Sequence, residues 1–328
     1  NRFSGWEDCL SIDSNTAMKF TPKEIVIVFL VAIGAVFVTS LPYLQGLTLS
    51  DSSVAYLGVN SRAPADTNVY ISMIEDIRQG GLLVTNLFTP EHGAAVLLHP
   101  LWVEMGLISR VTRLSPLTVF HLERVIAGMV FVFLLYAILR SQFQTLGDRI
   151  GALGVVLFSA GFGITAFIPY LSGTLDPEDY VAKLPLDIWV SESNTFLTLY
   201  HSALFIISQM LVLGILVFAY RGIQKNRSLL VWESLAAGFL TLIHPYDLVT
   251  VVFIVALMEW FVLARANVYE HMRRYTLFLI PSLLIALYYY FGVLGEPSIA
   301  GWSAQNLTEM PPLRNVVLGY GFLLPFAG

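Results

Sequence analysis

Long apolar runs separated by short polar hinges set the pattern of this chain. Seven of them, at about 25–45, 117–139, 150–171, 195–220, 229–245, 247–265 and 275–294, have the length of a helix that crosses a bilayer, and an eighth starts near 316. Two further segments have a helical period with only one apolar side. In 94–112, Leu98, Leu101, Trp102, Met105 and Ile108 share a face while His99, Arg110 and Arg113 fall on the opposite one. In 67–79, Tyr70, Met73, Ile74 and Ile77 follow the i, i+3, i+4, i+7 rule, with Glu75, Asp76 and Arg78 facing away. Such segments lie in the membrane interface and do not cross it. The expected fold class is therefore all-α and polytopic: about eight spanning helices, with two interfacial helices in the loop after the first span.

Composition strengthens this picture. Of 328 residues, 56% are hydrophobic and 12% charged, and the mean hydropathy is +0.71. A soluble enzyme or a nucleic-acid binder does not have this composition, so the lipid bilayer is the first expected partner and nucleic acid is none. Cys9 is the single cysteine, which excludes an internal disulfide and a cysteine-based metal cluster. Residues 1–17 are polar and patternless and read as a non-native or disordered leader, with Met18 as the natural start of a membrane domain over 18–328. The first run has no small-residue cleavage site after it and reads as an uncleaved anchor. The chain stops inside an apolar run at Phe326-Ala327-Gly328, so a truncated C-terminus is expected.

The basic residues orient the spans. With the N-terminus inside and 94–112 lying flat, Lys19, Lys23, Arg140, Arg149, Arg221, Lys225, Arg227, Arg265, Arg273 and Arg274 all fall on the cytoplasmic side. Two long loops, 46–116 and 172–194, then lie outside and collect most of the acidic residues. Ionisable residues in the spans crowd the same outer boundary: His121, Glu123 and Arg124, then His201, then His244 and Asp247 in a His-Pro-Tyr-Asp turn. Glu233 and Glu259, toward the inner side, are the exceptions.

An outer acidic region bounded by amphipathic helices, with Arg and His at its floor, suits transfer from a phospholipid-linked donor. Carboxylates can deprotonate an acceptor hydroxyl or hold a divalent cation, and Arg and His can neutralise a leaving phosphate. The residues that point further are Asp66-Thr67-Asn68-Val69-Tyr70 opening the first amphipathic helix, Gly80-Gly81, Asn86-Leu87-Phe88-Thr89-Pro90-Glu91, His99-Pro100-Leu101-Trp102 opening the second, and Arg124 entering the next span. In this order the chain resembles the GT-C superfamily of polyprenyl-phosphate-sugar-dependent glycosyltransferases over roughly 20–260, with the protein O-mannosyltransferase type nearest. The resemblance implies a base in the first outer loop, at Asp66 or alternatively Asp51, and a second acid in the next outer loop, at Asp176, Asp179, Asp187 or Glu192, with Asp187 and Glu192 favoured because they stand where the loop enters a span. It further implies substrate binding by Arg124, His99, His201, Asp51 and Glu104, a polyprenyl-phosphate-linked sugar donor, a protein, glycan or lipid acceptor, and an optional divalent cation. A multi-pass protein of a bacterial or archaeal plasma membrane, serving the cell envelope from its outer face, is the matching localisation. Two other classes compete: a transporter or flippase of a lipid-linked or polar substrate, and an inactive assembly subunit. The sequence also offers bland readings, with Asp66 a good helix N-cap and Tyr288, Tyr289 and Tyr290 an interfacial aromatic belt.

Overall fold

A computed structural model describes residues 20–50, 53, 55–60, 63–90, 93–165, 168, 172, 184–224, 229–261, 267–305 and 311–321. These residues are helical throughout, apart from loops and one isolated antiparallel bridge between Val84 and Leu97. In chain order the helices are α1 (Pro22–Thr48), α2 (Pro64–Gln79), α3 (Pro100–Thr112), α4 (Pro116–Gln142), α5 (Leu146–Phe158), α6 (Leu186–Trp189), α7 (Thr195–His201), α8 (Ala203–Gln224), α9 (Leu229–Ile243), α10 (Pro245–Glu259), α11 (Val268–Tyr288), α12 (Pro297–Gln305) and α13 (Leu313–Tyr320). The leader at 1–17, Asp51, residues 173–183 of the second loop and the chain after 321 lie outside the described residues.

Among the described residues, five stretches are long and apolar enough to cross a membrane: Pro22–Thr48, Pro116–Gln142, Leu146–Thr165, Ala203–Ile223 and Val268–Val293. Five of the seven expected spans thus reach crossing length among the described residues. In the other two, α9 and α10 are described over 15 residues each, with residues 225–228 and 262–266 outside the described residues. The break between them is a single residue, His244, followed at once by Pro245, which starts α10 where its missing N–H costs nothing. The helix expected near 316 begins at Leu313.

The chain divides into two compact units. The first comprises the described residues within 1–63, 121–206 and 309–328. There α1 and α4 run antiparallel, pinned at both ends. At one end Thr21 and Glu24 form a capping box, and Glu24 Oε1 accepts from Tyr136 Oη (2.8 Å), Arg149 Nη1 (2.8 Å) and Arg140 Nε (3.2 Å). At the other end the Arg124 guanidinium lies 4.7 Å from the Tyr43 ring centroid. Gly128 permits the close approach between these ends: a Cβ there would stand 3.1 Å from Val36 and 3.2 Å from Leu199.

The second unit comprises the described residues within 64–120 and 207–308. Its core is Ile215, Ala219, Ala237, Leu240, Val251, Val255 and Phe278, from α8, α9, α10 and α11. Helices α9 and α11 run parallel. Ser234 Oγ reaches Leu277 O (3.4 Å), Gly238 faces Pro281, and Tyr289 Oη donates to Leu242 O (2.8 Å). Helix α10 folds back between their ends, since Glu233 and Glu259 both lie against Arg274. Helices α2 and α3 pack on each other through Ile74, Ile77 and Met105, all fully buried, with Gly106 against Ile77.

Candidate functional site

In the second unit, the end that carries His244 gathers much of the polar chemistry expected from sequence. Asp66 lies in the first turn of α2, one turn ahead of Tyr70 on the same face. Its side chain reaches solvent, yet partial desolvation raises its carboxyl above the ordinary Asp value. Tyr70 stacks on Trp102 (4.8 Å between centroids), and Trp102 stacks on His99 (4.7 Å). His99 Nε2 lies 3.0 Å from Ile243 O, the last residue of α9. One residue on, His244 Nδ1 lies 3.0 Å from Asp247 Oδ2 across the first turn of α10. A continuous stack therefore ties the Asp66 helix to the His244 corner.

His99 departs from the sequence expectation. The helical pattern assigned it to the polar face with Arg110 and Arg113, but Pro100 is the first helical residue and His99 precedes it as the N-cap. Its extended backbone turns the ring inward, where it is buried. Burial lowers its pKa to about 4, outweighing the bond to Ile243. His99 is therefore neutral at pH 7, and with Nε2 donating to a carbonyl its Nδ1 is left as an acceptor. Glu104 is exposed on α3, beside an open apolar cleft lined by Pro100, Leu101, Ile207, Phe239 and Ile243.

The loop between α2 and α3 completes this end. Asp76 Oδ2 accepts from Thr85 N and Oγ1, both at 3.3 Å, and Asn86 Nδ2 donates to Ser298 O at 3.2 Å. Tyr288 Oη accepts from Leu98 N (2.8 Å) and donates to Val96 O. The tyrosine run that sequence offered as a belt thus divides: Tyr288 and Tyr289 are internal clamps and Tyr290 is exposed. A small apolar groove of about 40 Å³ opens beside α2, between Val69, Met73, Phe88, Leu97, Ile299 and Trp302.

The other expected residues belong to the first unit. Arg124 is buried, with Nη1 donating to Leu199 O (3.0 Å) and Nη2 to Ser40 Oγ (2.8 Å). Tyr43 Oη donates to Tyr200 O (2.7 Å), and its ring meets the edge of His121 (4.7 Å). His201, also buried, ends α7 edge-on to Phe205 (4.6 Å). Arg124 and His201 are thus brought to one cluster. Asp187 is half-buried in α6, and its Oδ2 accepts from Gly163 N at 3.0 Å. Burial raises its carboxyl, and backbone N–H groups partly offset the rise. Glu192 follows, itself exposed, in the turn Ser191–Ser193, whose Ser191 is buried.

Sequence reading did not single out Tyr43, Tyr70 or Trp102 as parts of these clusters. Tyr70 and Trp102 had a signal, since each lies on the apolar face of its own amphipathic segment, but nothing in the sequence paired them. Tyr43 had none beyond an aromatic in a span.

Comparison with protein-family models, curated proteins and solved structures finds no match for this chain.

Proposed function

We propose that the protein is a GT-C-type membrane glycosyltransferase that moves a sugar from a polyprenyl-phosphate donor to an acceptor hydroxyl on the extracytoplasmic face. The observation that carries this reading is the Tyr70–Trp102–His99 stack, which fixes the Asp66 helix against the His244–Asp247 corner. A general base needs a held position and a carboxylate more basic than usual, and Asp66 supplies both. Asp66 takes the proton of the acceptor hydroxyl, whose oxygen attacks the anomeric carbon. The carbon–oxygen bond to phosphate breaks, and the polyprenyl phosphate leaves with the bonding pair. A single displacement inverts the anomeric centre.

His99 is neutral and its ring is buried, Nδ1 included, so its part is to hold the Trp102 stack against the end of α9 rather than to bind a phosphate. Glu104 borders the same face of α3. The roles of Arg124 and His201 on the phosphate, and of Asp187 and Glu192 on the acceptor or a divalent cation, rest on the family resemblance alone. Asp51 is the alternative base. The outer location of this chemistry rests on the distribution of basic residues.

The test is release and transfer of labelled sugar from a panel of polyprenyl-phosphate sugars by the protein in liposomes, wild type against Asp66→Asn. Turnover that the substitution lowers by about 10²-fold or more supports the base, in line with general-base contributions. Turnover unchanged in the variant removes Asp66 from the mechanism. No turnover with any donor by folded protein transfers the reading to transport or assembly.

A further inference from the structure

The end of α9, α10 and α11 opposite His244 buries four ionisable side chains: Glu233 and Glu259 at 0% exposure, Arg274 at 3% and His271 at 6%. Arg274 Nη2 is 3.7 Å from Glu233 Oε2, and its Nε is 3.5 Å from Glu259 Oε1. His271 Nδ1 is 3.3 Å from Glu259 Oε2. Helix α8 closes the space, since a Cβ on Gly222 would stand 3.1 Å from Arg274 Nη2. Among the described residues, none of the four carboxylate oxygens makes a hydrogen bond, nor do Arg274 Nε and Nη2 or His271 Nδ1.

Glu24 in the first unit shows what a completed arrangement looks like. There two arginines, a tyrosine hydroxyl and a backbone N–H surround one carboxylate. In the second unit one guanidinium faces two carboxylates. Among the described residues, one guanidinium leaves one of the two carboxylates unbalanced, and an unbalanced buried charge is unfavourable. The other described groups nearby do not correct this. Glu270 adds negative charge near Glu259 but is paired with Arg273 (2.9 Å), and Tyr275 Oη donates to Val252 O (3.1 Å). Trp260 presents only a ring edge to His271, with centroids 6.0 Å apart.

The geometry points to a proton-binding site: the Glu233–Glu259–Arg274–His271 cluster takes one proton from solvent and holds it on the Glu259–His271 axis. With that proton two cations, or one cation and one neutral acid, balance the carboxylates, and the 3.3 Å contact becomes a charge-assisted hydrogen bond. The proton is lost to solvent as pH rises. The folded state binds it and the unfolded chain does not, so folding weakens on the alkaline side by tenfold per pH unit through the window where the two states differ by one proton.

Infrared titration of the full chain in bilayers, with carboxyl-¹³C glutamate and ring-¹⁵N histidine, reads the site directly and needs no glycosyl donor. One buried proton per chain, on a carboxyl or an imidazole, is expected at pH 7 and should disappear on alkaline titration. Glu259→Gln should abolish that signal, because one carboxylate and one guanidinium already balance; Glu233→Gln serves the same purpose if the first variant does not fold. Fully ionised glutamates with a neutral His271 at pH 7 would overturn the proposal, as would a proton signal that persists in the variants.

Discussion

At the scale of single residues, His99 shows how a side chain's burial fixes its chemistry. Its pKa falls from 6.5 to about 4 on folding, because the ring is packed between Trp102 and the end of α9. The unfolded chain therefore binds a proton that the folded state refuses between these two values. Stability from this residue is complete above pH 6.5 and is lost as pH falls toward 4, by up to about 3 kcal/mol. Denaturation profiles across this window, wild type against His99→Gln, check the assignment; equal acid sensitivity in both would show that other groups cause it. The same residue marks a limit of reading faces from periodicity. The period assumed that His99 was helical, whereas Pro100 as first helical residue placed it outside the helix, free to turn inward.

Single elements depend on where small residues allow contact. Gly106 on α3 sits against α2 so closely that a Cβ would stand 2.5 Å from Ile77 Cβ and 3.0 Å from Ile74 O. Gly106→Val should push α2 away and cost about 1–3 kcal/mol by overpacking, loosening the Tyr70–Trp102 stack. Intrinsic tryptophan fluorescence and the melting temperature of the variant report both effects, and a wild-type melt would show that α2 docks by other contacts. The existence of α2 and α3 was legible, because their apolar positions repeat at 3.6 residues and Ile74, Ile77, Trp102 and Met105 are indeed buried. The break between α9 and α10 was legible too, since the runs 229–245 and 247–265 part at the His-Pro-Tyr-Asp turn and the structure places the interruption at His244, just before Pro245. The partners of Glu233 and Glu259 were not: Arg274 counted as a cytoplasmic flank until the helix register placed it beside them.

For the whole molecule, the sequence conveyed the membrane class and the clustering of polar groups at helix ends. Both units have this two-ended character, with buried carboxylate–arginine pairing at one end and a histidine-bearing cluster at the other. The proposed topology puts the histidine end of the second unit outside. Cysteines introduced at Leu87 and Tyr269, exposed by 53% and 76%, should then react from opposite sides of a sealed membrane once Cys9 is replaced. An impermeant thiol reagent added to intact cells should modify Leu87→Cys and spare Tyr269→Cys. The reverse pattern would invert the topology, and modification of both would place both residues outside.

The His244 corner also bears on how the chain is made. Helices α9 and α10 meet at this one residue, so the chain turns back as soon as Pro245 has been added. Glu233 on α9 and Glu259 on α10, which share one guanidinium, are both synthesised before Arg274 on α11. In order of synthesis their counter-charge comes last, so the charge pairing of this part of the protein is completed only once three helices have been made.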